Sequence, residues 1–280
     1  MPRFALRLDF DGAGFAGTQI QGKGERTLEG VLGPILAGLA GGAGTARLSS
    51  RLDAGVSAAG LVADVDLGRD WAAGHGGLPA LVHALNRDLP DDVAVTAAAA
   101  VDDAFDANRQ ARGKTYRYRI LRRDVRPVLD RRAWWLKRMD EPHRLAACAG
   151  LIVGRHDLSG FACLRHDGTD EDDPVRTVHA ANWSATPAED GLGEIHTFRI
   201  SGSGFLYKQI RGLVGAMVFI AQTRASVDDF RATMAAGRAA ERIGNIAPAE
   251  GLCLVGVDYG PREPAWVAAP PAGLPSTAGG

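Results

Sequence analysis

Cysteine is scarce and poorly placed for cross-linking. Cys148, Cys163 and Cys253 are odd in number, far apart and without a Cys-x-x-Cys pair, which excludes a disulfide framework and a zinc ribbon. The seven histidines supply no tetrahedral ligand set either, so no metal is expected. Long apolar runs are missing: nothing approaches the ~20 residues of a membrane-spanning helix, and a soluble globular chain is the expectation. MPRFALRLDF alternates polar and apolar residues and lacks the apolar core of a signal peptide, which points to the cytoplasm. Charge of one sign is absent overall, with a formal net of −1, so any attraction to nucleic acid has to be local. No fixed-period repeat is visible.

What is present is a mixture of alternating and helical patterns. Phe4, Leu6, Leu8 and Phe10 predict a strand with one buried face. A polar, Gly-rich loop over 11–26 follows, and then a helix carrying Leu28, Val31, Leu32, Ile35, Leu36 and Leu39, capped by Thr27 and ended by Gly41–Gly42. A strand over 61–67, a helix around Leu78–Leu85 and a strand over 93–101 come next. In 114–121, Tyr116, Tyr118 and Ile120 share one face while Arg117 and Arg119 take the other. Helices over 141–153 and 206–222, a Ser226–Asp229 capping box leading a helix to Gly237, and strands near 175–183, 194–201 and 252–258 complete the pattern. Strands outnumber helices without strict βαβ order, so the fold class is α+β with a mainly antiparallel sheet flanked by helices. The division expected is an N-terminal half, 1–104, a C-terminal half, 105–260, and a disordered Pro/Ala/Gly-rich tail, 261–280.

Gly12-Ala13-Gly14-Phe15-Ala16-Gly17 matches the dinucleotide-binding G-x-G-x-x-G. The preceding strand alternates and carries Arg7 and Asp9, whereas the first strand of a doubly wound sheet is buried on both faces, and no helix opens at the motif. The match is therefore set aside. Between 109 and 138 twelve lysines and arginines face only Asp124 and Asp130, a segregated positive charge that suits a phosphate backbone, with Trp134-Trp135 available for stacking or for the core. Ser49-Ser50-Arg51-Leu52-Asp53-Ala54-Gly55-Val56-Ser57 reads by spacing alone as a loop with a surface ion pair.

That segment belongs to an ordered series of blocks. Phe10-Asp11-Gly12, Arg51-Leu52-Asp53-Ala54-Gly55-Val56, Leu89-Pro90-Asp91-Asp92, Lys114-Thr115-Tyr116-Arg117-Tyr118, Gly154-Arg155-His156-Asp157, Pro174-Val175-Arg176-Thr177, Gln209-Ile210-Arg211-Gly212 and Ala247-Pro248-Ala249-Glu250-Gly251-Leu252 follow one another over about 4–259. In this order they resemble the tRNA pseudouridine synthase A family. The resemblance implies the pseudouridine-synthase fold, two similar halves with a cleft between them, a homodimer, no cofactor and no metal. It implies isomerisation of uridine in the anticodon stem-loop of tRNA. Asp53 would be the nucleophile, Tyr116 the ring stacked on the target base, and Arg211 the partner of Asp53. Arg51 would hold the flipped nucleotide and Leu252 line the pocket, with Lys114, Arg117 and Lys208 as further substrate contacts.

The chemistry calls for these residue types. Isomerisation breaks the C1′–N1 bond and rejoins the base through C5, so a carboxylate attacking the sugar can suffice where the departing base is its own acceptor. A base taken out of structured RNA needs an aromatic ring to replace its lost neighbours. The chain also departs from the pattern: Ser50, Leu52 and Ser57 stand where glycine, threonine and histidine are usual, Thr18 replaces a tryptophan and Asn108 an arginine. Those departures keep two alternatives in view, namely the same chemistry on another RNA or on a free uridine nucleotide feeding a C-nucleoside pathway, and a non-catalytic RNA-binding protein on the same scaffold.

Overall fold

The computed structural model describes residues 2–22, 24–41, 44–74, 76–164, 173–223 and 225–268. The chain divides into two compact units, each assembled from separated stretches. The first takes Met1–Leu52, Ala58–Ala111 and Tyr259–Gly280, and the second takes Asp53–Ser57 and Arg112–Asp258. This differs from two contiguous halves split at 104/105, because the turn at Asp53 groups with the later stretch and the chain after Asp258 with the earlier one.

The first unit contains β1 (Arg3–Phe10), α1 (Leu28–Ala40), β2 (Ala46–Leu48), β3 (Ser57–Asp66), α2 (Gly77–Asp88) and β4 (Val93–Val101). β1 lies between β3 and β4, antiparallel to both, and β2 pairs with β3. Phe4, Leu6, Leu8 and Phe10 are all buried, as the alternation predicts. Each such side chain contributes about 1.5–3 kcal/mol by leaving water. In α1, Leu28, Leu32 and Leu36 form the buried stripe; the Thr27 hydroxyl accepts from the Gly30 amide at 3.2 Å, and Gly41 closes the helix at φ +69. Gly42 lies outside the described residues. The segment Gly12–Gly14 is a single 3₁₀ turn, so no α-helix opens at the glycine motif.

The second unit contains β5 (Gly113–Arg122), β6 (Trp134–Leu136), α3 (His143–Leu151), β7 (Gly154–Asp157), β8 (Val175–Pro187), β9 (Glu194–Gly202), α4 (Gln209–Gln222), α5 (Val227–Ala236) and β10 (Leu252–Asp258). Its strand order is β10-β5-β9-β8-β7, all antiparallel, with β6 added parallel to β5. The Ser226–Asp229 capping box forms with both of its bonds, and Gly237 ends α5 at φ +52. α4 begins at Gln209 rather than at 206. The reason is local: Lys208 is left-handed, with φ +57, and the Leu206 amide donates to Gln209 Oε1 at 2.9 Å.

The first part of the stretch expected to be disordered, 261–268, carries regular structure. Gly260–Arg262 is a 3₁₀ turn, and β11 (Val267–Ala268) pairs antiparallel with β4 in the first unit, while 269–280 lie outside the described residues. Tyr259 anchors the return, its buried hydroxyl donating to the Ala107 carbonyl at 2.7 Å. Both units are thus α+β with mainly antiparallel sheets. Among the described residues no helix is long and apolar enough to cross a membrane.

Candidate active site

Asp53 opens a tight turn. The Val56 amide donates to the Asp53 carbonyl at 3.1 Å, and Gly55 sits at φ +80, where L side chains are strained. A Cβ there would also come within 3.1 Å of the Ala249 methyl. The Asp-Ala-Gly-Val sequence is therefore the turn that presents Asp53.

Arg211, in the first turn of α4, donates from Nη1 to Asp53 Oδ2 at 2.8 Å and from Nε to the Ala247 carbonyl at 2.7 Å. The Ala247 amide in turn donates to the Arg211 carbonyl at 3.0 Å. The guanidinium is thus held by one bond to the Ala247 carbonyl, and the Arg211 main chain by a second, as it reaches the carboxylate. Both side chains are largely enclosed, at 15% exposure for Arg211 and 21% for Asp53. Among the described residues Asp53 Oδ1 accepts no hydrogen bond. One oxygen is held and the other has no partner among the described residues.

α4 can lie where it does because two of its residues lack side chains. A Cβ on Gly212 would fall 1.8 Å from the Phe161 carbonyl oxygen, and one on Gly215 would fall 1.8 Å from that of Asn245. The helix therefore packs directly on backbone, and Arg211 is carried one residue before the first of these glycines.

Tyr116 and Tyr118 share one face of β5. Tyr118 is wholly buried and donates to the Pro248 carbonyl at 2.8 Å, and burial pushes its hydroxyl well above the usual range. This bond ties β5 to the segment that carries Ala247. Tyr116 is 7% exposed and meets Phe205 edge-on, with centroids 5.5 Å apart. Leu252 on β10 stands opposite Tyr118 in register, and Leu254 stands opposite Tyr116.

The remaining candidates divide. Lys114 is on the Tyr116 face of β5, and burial lowers the pKa of its ammonium. Lys208 precedes α4 with its ammonium 4.7 Å above the Tyr207 ring. Alternation puts Arg117 on the opposite face of β5 from Tyr116, so it is not gathered with Asp53 and Arg211. Arg51 is exposed and belongs to the first unit. Phe205 and the Ala247 carbonyl were not singled out from the sequence. Phe205 had a signal in Gly204-Phe205-Leu206, but a backbone acceptor such as Ala247 leaves none.

Within the first unit, two of the departures from the family pattern prove to be bonded to each other. The Leu52 amide donates to the Thr18 hydroxyl at 3.0 Å, and the Thr18 amide donates to the Leu52 carbonyl at 3.2 Å. Thr18 is 1% exposed and Leu52 8%, so a short polar residue at 18 and an apolar one at 52 fit together. Asn108 is exposed and Ser57 buried, while the buried Ser50 hydroxyl has no partner among the described residues. Cys148 is buried, and burial pushes its thiol up to about 11, the behaviour of a packing residue. No cluster of three or more His, Cys, Asp or Glu able to hold a metal occurs among the described residues.

Residues 148–260 match the family described as tRNA pseudouridine synthase. The chain is 39% identical over 266 residues to the tRNA pseudouridine synthase A of Solidesulfovibrio magneticus, covering 93% of this chain and 92% of that protein. It is 36% identical over 261 residues to that of a Methylobacterium species, with 92% and 98% covered. To the protein of the same name from Allorhizobium ampelinum it is 34% identical over 271 residues, with 95% and 98% covered. The likeness thus runs through both units and includes the turn at Asp53 and the helix of Arg211, and the chain belongs to the tRNA pseudouridine synthase A family, a family of isomerases.

Proposed function

We propose that this chain converts uridine to pseudouridine in the anticodon stem-loop of tRNA, with Asp53 as the nucleophile. The observation that carries the reading is the Arg211–Asp53 pair, in which a guanidinium anchored on the Ala247 carbonyl holds Oδ2 and Oδ1 has no partner among the described residues. Oδ1 attacks C1′, and the electron pair of the C1′–N1 bond leaves with the uracil. The freed base turns, C5 forms the new bond to C1′ as the carboxylate departs, the proton on C5 is released, and N1 takes up a proton from solvent. Arg211 orients the attacking carboxylate at the start of this sequence and receives it again at the end.

Tyr116 supplies the ring against the extruded base, its orientation fixed by Phe205, and Leu252 lines the same pocket. Arg51, Lys114 and Lys208 contact the nucleotide and its flanking phosphates. The RNA backbone is drawn by the positive charge between 109 and 138. A homodimer forms part of the same reading, and light scattering would check it.

The test is tritium release from tRNA transcripts labelled at uracil C5. Release by the wild-type chain that Asp53→Asn abolishes, with tRNA affinity kept, is the expected result. No release in spite of tight binding would overturn the catalytic reading, and sequencing the product for the modified position would test the anticodon stem-loop assignment.

A further inference from the structure

On the face of β5 that the active-site residues do not use, two arginines stand opposite each other. Arg117 on β5 and Arg199 on β9 are direct register partners, and Asn182 on β8 is the register partner of Arg199 on its other side. Partners in register share a face, so three donor side chains from three adjacent strands, about 4.8 Å apart from strand to strand, line up across the sheet. Arg199 and Asn182 are exposed.

Like charges directly opposite on a sheet repel. The neighbouring arginines of this unit avoid that cost through carboxylates: Arg119 donates to Asp130 at 3.0 Å, Arg122 to Glu194 at 2.8 Å and Arg123 to Asp190 at 2.8 Å. Arg117 and Arg199 have no such partner among the described residues, and Arg117 Nε is buried without any hydrogen bond. The flanking strand positions on this face, Thr115, Arg119, Thr197, Ser184 and Ser201, carry no acid, and the Asp130 carboxylate is taken by Arg119. Two facing guanidiniums are therefore left without a carboxylate partner among the described residues.

We propose that Arg117, Arg199 and Asn182 bind a phosphate group on this face, away from the reacting nucleoside. Two guanidinium forks and an amide spread over three strands suit a tetrahedral oxyanion, whose oxygens point in several directions, better than a planar carboxylate with two. The phosphate comes from the tRNA backbone, as a contact remote from the modified uridine, or from free phosphate. The tRNA source rests on the function proposed above.

The experiment uses the full chain with Arg199→Gln, Arg117→Gln, the double variant and Arg87→Gln as a general charge control. Inorganic phosphate is titrated against melting temperature at matched ionic strength in chloride, and tRNA affinity is measured over a salt series. The site predicts a phosphate-dependent rise in melting temperature that Arg199→Gln removes. For the tRNA source, Arg199→Gln also weakens tRNA several-fold at low salt and lowers the slope of log K against log salt by about 1, with kcat at saturating tRNA unchanged. The double variant then loses little beyond the larger single loss, because either arginine alone leaves the phosphate half-held. A phosphate-dependent rise with an unaltered tRNA slope supports the site and assigns it to free phosphate. Equal slopes for Arg199→Gln and Arg87→Gln, together with no rise beyond that in chloride, would overturn the site. A wild-type chain that ignores tRNA would sink the functional reading alone, since the phosphate titration still decides the site. Arg199→Glu guards against misfolding: by replacing repulsion with an ion pair it melts higher in phosphate-free buffer.

Discussion

Each unit holds an aspartate against an arginine, and the two do so to opposite ends. In the first unit Asp64 is 2% exposed; Arg47 donates to its Oδ2 from Nε at 2.8 Å and Nη2 at 2.6 Å, and the Ala107 amide donates to its Oδ1 at 2.8 Å. Both oxygens are occupied, and the Arg47 fork also reaches the Phe105 carbonyl. In the second unit Asp53 receives one bond from Arg211, and its Oδ1 has none among the described residues. A saturated carboxylate pins a loop to a strand, whereas a carboxylate held by one oxygen is oriented and still able to react. The number of bonds accepted, rather than the presence of an arginine, is what distinguishes Asp64 from the proposed nucleophile Asp53.

The sharpest way to break this contrast is to neutralise each aspartate. Asp53→Asn is expected to lower turnover by at least about a thousandfold while changing stability by no more than about 0.5 kcal/mol, read by tritium release and by denaturant unfolding. Asp64→Asn should do the reverse, costing about 2–3 kcal/mol of stability as charge-assisted bonds at a buried acceptor are unmade, with kcat of the folded fraction kept. Equal effects of the two substitutions on stability would remove the distinction.

The helices of the two units sharpen it further. Gly212→Ala in α4 places a methyl against the Phe161 carbonyl and is expected to cost more than about 3 kcal/mol, displacing Arg211 and activity with it. Gly38→Ala in α1 meets nothing within 4 Å and should stabilise by about 0.5–1 kcal/mol in thermal unfolding. The smallest effect concerns acid. The Arg3 hydrogen bonds hold the Asp66 carboxyl below its ordinary range in the folded state. Its contribution is complete above the unfolded value near pH 4 and is lost as pH falls through the lowered folded value. Stability profiles of Asp66→Asn and wild type should therefore differ near neutrality and converge toward low pH.

Much of the secondary structure was legible because it is local. β1, α1 and α5 announce themselves by period and caps within a dozen residues. β2, β6, β7 and β11 were not legible, since they are two to four residues long and exist only because a neighbouring strand offers them partners. The start of α4 was misplaced because the left-handed Lys208 has no glycine or asparagine to betray it. The candidate site was legible only in part. Spacing alone made Arg51 and Asp53 a surface loop, and it took the ordered blocks of the resemblance to bring Arg211 to Asp53 across 158 positions.

By itself the sequence determined which segments alternate, where α1 and α5 are capped, and which family's order of motifs the chain follows. These depend on neighbours along the chain, whose distances covalent geometry fixes. Only the tertiary structure decided that Arg211 reaches Asp53 from an anchor on the Ala247 carbonyl, that Thr18 and Leu52 accommodate each other, and that Arg117 faces Arg199 instead of the active site. Hydrogen bonds act over about 3 Å, and the partners that satisfy them are chosen by packing between segments whose separation in sequence carries no information about their separation in space.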